Sequence, residues 1–199
     1  MKLRSSKFSP FARKVRACAH ELGLAGKIEL IETTPTTDAS LRSQNPLGKV
    51  PVLILDDGTA IFDSPLICEH LSEMAGDETI WPHSGKKHWA AIRDQALGDG
   101  LSDASVALRG ERLKPEAMQY APFAERQIAA IKSGLDLLEA DCKRLEGRVD
   151  VGTIAIACAI GHVEVRHADL AWAAERPKLA AWYAAFNARP SMSSTKPGT

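Results

Sequence analysis

The run from Ile154 to Ile160 is apolar on every side of a helical wheel, so no face of it can be left to water. A segment of that kind is a central helix buried among others, not a surface helix with one apolar stripe. Asp150 is placed as its N-cap, with Thr153 at the third helical position. The flanking sequence supplies the surrounding helices. Trp89, Ile92, Ala96, Leu101 and Leu108 mark one long helix, with Gly98 and Gly100 as candidate bends. Ile128, Ile131, Leu135, Leu138 and Leu145 form a second apolar stripe within 124–145. Pro177 starts a last helix through Leu179, Trp182, Tyr183 and Phe186, which Arg189-Pro190 closes. Residues 191–199 read as a loose tail.

The chain before this helical half is patterned differently. Leu3 opens a brief strand that stops at Ser5-Ser6-Lys7. Ser9 then caps a helix with Pro10 at its first position, and Phe11, Val15, Cys18 and Leu22 line one face as far as Gly23. Residues 27–32 alternate like a half-buried strand, 33–37 read as a loop, and 38–43 as a short helix. Val50-Pro51-Val52-Leu53-Ile54-Leu55 is a dense apolar strand, so Pro51 belongs at its start or edge. Asp56-Asp57-Gly58 turns the chain into a second arm over 59–62, and Ser64-Pro65 repeats the serine-proline helix start. Two strands joined through a helix can lie parallel, and the hairpin adds an antiparallel edge. The expected division is 1–76 for this α/β domain, 77–84 for a turn-rich linker and 85–199 for the helical domain.

Charge excludes more than it suggests. Lys and Arg number 25 and Asp and Glu 25, so no bulk field points to nucleic acid or an anionic membrane. No stretch approaches the roughly 18 consecutive apolar residues of a membrane span, and the first residues lack the apolar core of a signal peptide. Cys18, Cys68, Cys142 and Cys158 lie far apart, each in an apolar or helical pattern, and read as reduced, buried thiols of a cytoplasmic protein. Cys158 and His162 are four apart, but no third or fourth ligand adjoins them, so no metal site is expected.

Three motifs carry more in combination than singly: Ser9-Pro10-Phe11-Ala12-Arg13-Lys14-Val15-Arg16, Asn45-Pro46-Leu47-Gly48-Lys49-Val50-Pro51-Val52-Leu53, and Phe62-Asp63-Ser64-Pro65-Leu66-Ile67. In this order and spacing they resemble the N-terminal domain of the soluble glutathione S-transferases. Arg148 to Cys158 looks like the opening of that family's central helix, and Trp182-Tyr183 to Met192 is similar to its C-terminal signature. The resemblance covers nearly the whole chain and fits the small bacterial members best. It implies a thioredoxin-like α/β domain followed by an all-α domain.

Residue by residue, the resemblance assigns glutathione as co-substrate to Ser9, Lys49, Val50, Asp63 and Ser64. Val50 would pair its backbone with the cysteinyl part, and Pro51 matches the family's structural cis-proline. Asp63 would accept from the γ-glutamyl ammonium while Ser64 and the helix N-terminus donate to its carboxylate. Lys49 can reach the glycine carboxylate. Ser9 matches the catalytic hydroxyl facing the sulfur. Arg4 stands where many relatives carry Tyr, which leaves Ser9, with Ser5 and Ser6 as weaker neighbours. A thiol near pKa 8.5 must ionise to attack at neutral pH. A helix N-terminus supplies roughly 0.3–1 kcal/mol for a nearby anion, or up to about 2 when partly buried. A hydroxyl donor adds roughly 1.5–3 kcal/mol. At about 1.36 kcal/mol per unit, the two lower the thiol pKa by roughly one to three units.

The implied activity is conjugation of the glutathione thiolate to a small apolar electrophile by a homodimer. Two other readings of the fold stay open: a non-catalytic glutathione-binding or protein-interaction module, and a glutathione-dependent thiol-disulfide oxidoreductase. The second would carry cysteine where Ser9 stands.

Overall fold

The structure, a computed structural model, describes residues 1–198. The strand β1 (Lys2–Ser5) leads into α1 (Pro10–Glu21), whose first turn is fixed by the Ser9 hydroxyl accepting from Ala12 N at 3.2 Å. The chain returns through β2 (Glu29–Glu32), which pairs parallel to β1 with Leu3 opposite Leu30. β3 (Val52–Ile54) and β4 (Ala60–Ile61) follow as an antiparallel hairpin, and the sheet order is β2-β1-β3-β4. β2 is an edge strand whose residues are mostly exposed, not the half-buried strand its alternation suggested. α2 (Ser64–Ala75) closes this half, and its N-cap is Asp63, so Ser64 lies inside the helix rather than capping it.

Ile80 and Trp81 are buried, and Val151 N donates to Ile80 O at 2.8 Å, so the segment after α2 is anchored in the core. α3 (Gly85–Arg112), α4 (Ala121–Ala140), α5 (Val151–Arg166) and α6 (Pro177–Asn187) make the helical half. α5 is buried without a break from Val151 to Val163. Its capping box is complete: Asp150 accepts from the backbone of Gly152 and Thr153, and Thr153 Oγ1 accepts from Asp150 N. α3 runs as one helix through both candidate bends. Gly98 instead permits close approach, since a Cβ there would lie 2.6 Å from the Ala155 carbonyl carbon of α5. Trp89 is 71% exposed, so the apolar stripe of α3 does not begin there.

Ser191, Met192 and Thr195 are buried, contrary to the loose tail expected over 191–199, of which Thr199 lies outside the described residues. α7 (Pro190–Ser193) buries Met192 completely. Arg13 of α1 donates to Met192 O at 3.1 Å and Asn187 Oδ1 at 2.8 Å, and Arg189 grips Glu21 at 2.9 and 3.0 Å. The segment is polar in sequence because its partners are polar groups on α1.

Candidate functional site

The site is built by one side chain after another fixing the next stretch of backbone. Arg4 on β1 is buried; it donates to Asp38 and Ser40 at 2.8 Å each and also to Gln44. Those bonds hold the short helical segment Ala39–Ser43 against the sheet. Asn45 follows, buried, with its amide donating to Lys49 O at 2.9 Å and its oxygen accepting from Leu47 N at 3.0 Å. The loop is thereby folded back on itself, and Lys49 and Val50 are delivered to one place. The Val50–Pro51 peptide is cis, as is Phe62–Asp63.

Between them lies a cavity of about 230 Å³, lined by Lys49, Val50, Pro51, Asp63 and Ser64 together with Phe11, Asp99 and Asp103. Three larger hollows, of about 920, 780 and 370 Å³, share no residue with it; the first two adjoin Gly147–Val149. The smaller cavity is where the sequence motifs meet. Ser9 is half-buried and lies two residues before Phe11, just outside this lining. Its oxygen accepts from Ala12 N, which leaves the hydroxyl proton free to donate. Ser5 is buried in β1, and Ser6 accepts from Ser9 N through its carbonyl.

The far wall was not foreseen. Asp99 and Asp103 are one helical turn apart on α3, a spacing that places both on one face. Lys14, fully buried on α1, sets its ammonium 2.7 Å from both Asp99 oxygens and ties the two halves together beneath the cavity. Asp103 has its carboxyl pKa raised, by desolvation on its packed side and then by Asp99, with Lys49 and Lys14 opposing. The Asp63 carboxylate caps no backbone group of its own helix. Carboxylates thus converge with ammonium groups around a small volume, a set of acceptors and donors suited to a zwitterion.

The thiols of the protein stand apart from this chemistry. All four cysteines are free and buried. The Cys18 thiol is pushed well up by its hydrogen bond to Cys68 and by burial, and Cys158 is pushed up to about 11 by burial. Neither is a ready nucleophile at neutral pH. Among the described residues, no three His, Cys, Asp or Glu side chains are grouped to hold a metal ion, and no helix is long and apolar enough to cross a membrane.

Residues 8–74 match the family model of the glutathione S-transferase N-terminal domain, and 121–185 that of the C-terminal domain. An uncharacterised GST-like protein of Escherichia coli, YibF, is 34% identical over 99% of this chain and 98% of its own. A glutathione transferase family member from Pseudomonas fluorescens, crystallised with bound glutathione, superposes with a TM-score of 0.94 at 36% identity, covering 100% of this chain and 99% of that one. A glutathione S-transferase from Methylobacillus flagellatus, also with glutathione bound, gives 0.92 at 34% identity, covering 98% of each chain.

Proposed function

Because the chain belongs to the glutathione S-transferase family, we propose that it binds glutathione in the cavity between β3, α2 and α3 and conjugates its thiolate to a small, largely apolar electrophile. The observation that carries this reading is the convergence of Lys49, Val50, Asp63 and Ser64 around one 230 Å³ cavity beside the α1 N-terminus. Asp63 receives the γ-glutamyl ammonium, and Ser64 with the first turn of α2 receives its carboxylate. The Val50 backbone, turned by the cis bond to Pro51, pairs with the cysteinyl unit, and Lys49 takes the glycine carboxylate. Ser9 donates its free hydroxyl proton to the thiolate and is the catalytic group. The glutathione found in the Pseudomonas and Methylobacillus structures supports glutathione as the ligand.

The same reading includes a homodimer. Leu66 and Met74, two turns apart on α2, and Trp89 on α3 are exposed, an apolar surface for a second copy that sedimentation velocity reads directly. Glutathione calorimetry, run beside a conjugation assay over aryl halides, epoxides and isothiocyanates, tests the function. Binding with turnover supports a transferase, binding without turnover makes the protein a glutathione-binding module, and no binding overturns both.

A further inference from the structure

Two guanidinium groups that glutathione binding does not use lie near each other, one on α3 and one at the end of α5. Arg166, the last residue of α5, holds its guanidinium carbon 3.8 Å above the centre of the Phe8 ring. Phe8 directly precedes Ser9, so that cation sits one peptide from the proposed thiolate donor. Arg109 is on the adjoining flank of α3. The α5 side of that helix is marked by Ser105, whose hydroxyl is 2.7 Å from His162 Nδ1. At about 100° per residue, Arg109 is turned roughly 40° from Ser105, Val106 about 100° and the cavity residue Asp103 about 160°. From α5 toward the glutathione cavity, α3 therefore presents a guanidinium, an exposed apolar side chain and a carboxylate.

Several arginines that meet α3 are answered by carboxylates. Arg112, one turn on from Arg109, is saturated by both oxygens of Asp169 at 2.8 Å. Arg144 and Arg148 share Asp94. Among the described residues, neither Arg109 nor Arg166 has a carboxylate partner. Burial, and then the like charge of Arg109, lowers the pKa of Arg166. His162 beside them is pushed down to about 4, chiefly by burial, so it is neutral near pH 7 and adds no third positive charge. Two partly desolvated like charges are costly unless something brings an anion, and a guanidinium fork matches a carboxylate in both geometry and charge.

We propose that Arg109 and Arg166, braced on Phe8, form the subsite for an anionic substituent on the second substrate, a carboxylate carried by a small aromatic electrophile. The reading rests on the proposed glutathione site only for the position of the thiol. It refines the apolar electrophile: the ring packs on Phe8 and Val106 while its far end carries charge. With a chloronitrobenzoate, the thiolate sulfur attacks the chlorine-bearing carbon and a C–S bond forms. The C–Cl bond breaks, chloride leaves with the electron pair, and the thiol proton passes to solvent.

The test needs no turnover. Calorimetry compares S-(carboxybenzyl)glutathione with S-benzylglutathione, two ligands of nearly one shape that differ in charge, on the wild type, Arg109→Gln, Arg166→Gln and Arg166→Lys, with thermal unfolding scans to confirm that each variant folds. The carboxylated conjugate is expected to bind about tenfold tighter to the wild type, as one charge-assisted hydrogen bond allows. Either Gln variant should remove most of that preference, and Arg166→Lys should restore part of it. Equal affinities in the wild type, or a preference that survives both Gln variants, would overturn the subsite. An equal loss for unmodified glutathione in the Gln variants would assign the guanidiniums to the tripeptide and overturn it as well. Failure of glutathione and both conjugates to bind the wild type is a separate result that removes the glutathione site itself.

Discussion

Asp94 and Asp103 lie on the same helix, nine residues apart, and their surroundings could hardly differ more. Asp94 is fully buried and accepts from Arg144 and Arg148, while Arg148 reaches on to Asp150, the residue that caps α5. Every charge there is answered from within the chain. Asp103 opens onto the cavity beside Asp63 and Asp99, where the nearby cations are Lys14 and Lys49. The first cluster ties α3 to the start of α5 and holds the fold; the second leaves acceptors turned toward an empty volume. Saturated charge marks what the protein keeps for itself, and unsaturated charge marks where a ligand completes it.

The sharpest way to break that contrast is to delete one aspartate from each cluster. Asp94→Ala removes the buried carboxylate that two largely buried guanidiniums share, leaving Arg148 only Asp150 and Arg144 only the exposed Asp141. It should cost about 3 kcal/mol of stability, read by chemical denaturation. Asp103→Ala should stay within about 0.5 kcal/mol, as expected of a site away from packed polar networks. Equal losses would show that the cavity cluster is structural too.

The second comparison moves from stability to binding. Asp63 caps no backbone group of α2, so its removal takes little from the fold. Asp63→Ala should instead weaken glutathione by roughly 1.5–3 kcal/mol, ten- to over a hundredfold, measured by calorimetry. An unchanged dissociation constant would remove Asp63 from the site.

These contrasts also explain what the sequence could disclose. Local features were legible because they are decided within one turn: Ser9 before Pro10, the Asp150–Thr153 box, the all-round apolar run of α5. Pro51 and Asp63-Ser64 were legible by resemblance and are brought to one cavity by the fold. Asp99 and Asp103 were not seen, since only the packing of α3 on α1 gives them a cavity to face; their four-residue spacing was the available signal. Lys14 reads as a surface lysine in any sequence window, yet the structure buries it against Asp99. The end of the chain misled for the converse reason. Arg13, Glu21 and Met192 are far apart in sequence, and nothing in Ser191 to Thr195 reveals that its backbone and hydroxyls are spoken for.

The smallest expected effect is also the one that separates cap from catalyst. Ser9 accepts from Ala12 N and keeps its own proton, so one hydroxyl can serve the helix and a thiolate together. Ser9→Ala removes both services. The cap is worth about 0.5–2 kcal/mol and appears in the unfolding free energy. The donated hydrogen bond appears elsewhere, as a rise of about one to two units in the pKa of bound glutathione thiol, followed by thiolate absorbance against pH. Because the thiolate is the reacting form, conjugation at pH 7 should fall while glutathione affinity stays within severalfold, and raising the pH through the new pKa should recover much of the rate. Ser9→Thr keeps a capping hydroxyl that can also donate, so it should retain both properties in part. Ser9→Cys puts a thiol at the same helix N-terminus, where its own pKa is lowered, and should trade conjugation for reduction of glutathione mixed disulfides. If Ser9→Ala loses stability but conjugates with an unshifted pH profile, Ser9 belongs with Asp94 and Asp150 on the structural side of the comparison, and Ser6 or a backbone amide at the start of α1 becomes the group that faces the sulfur.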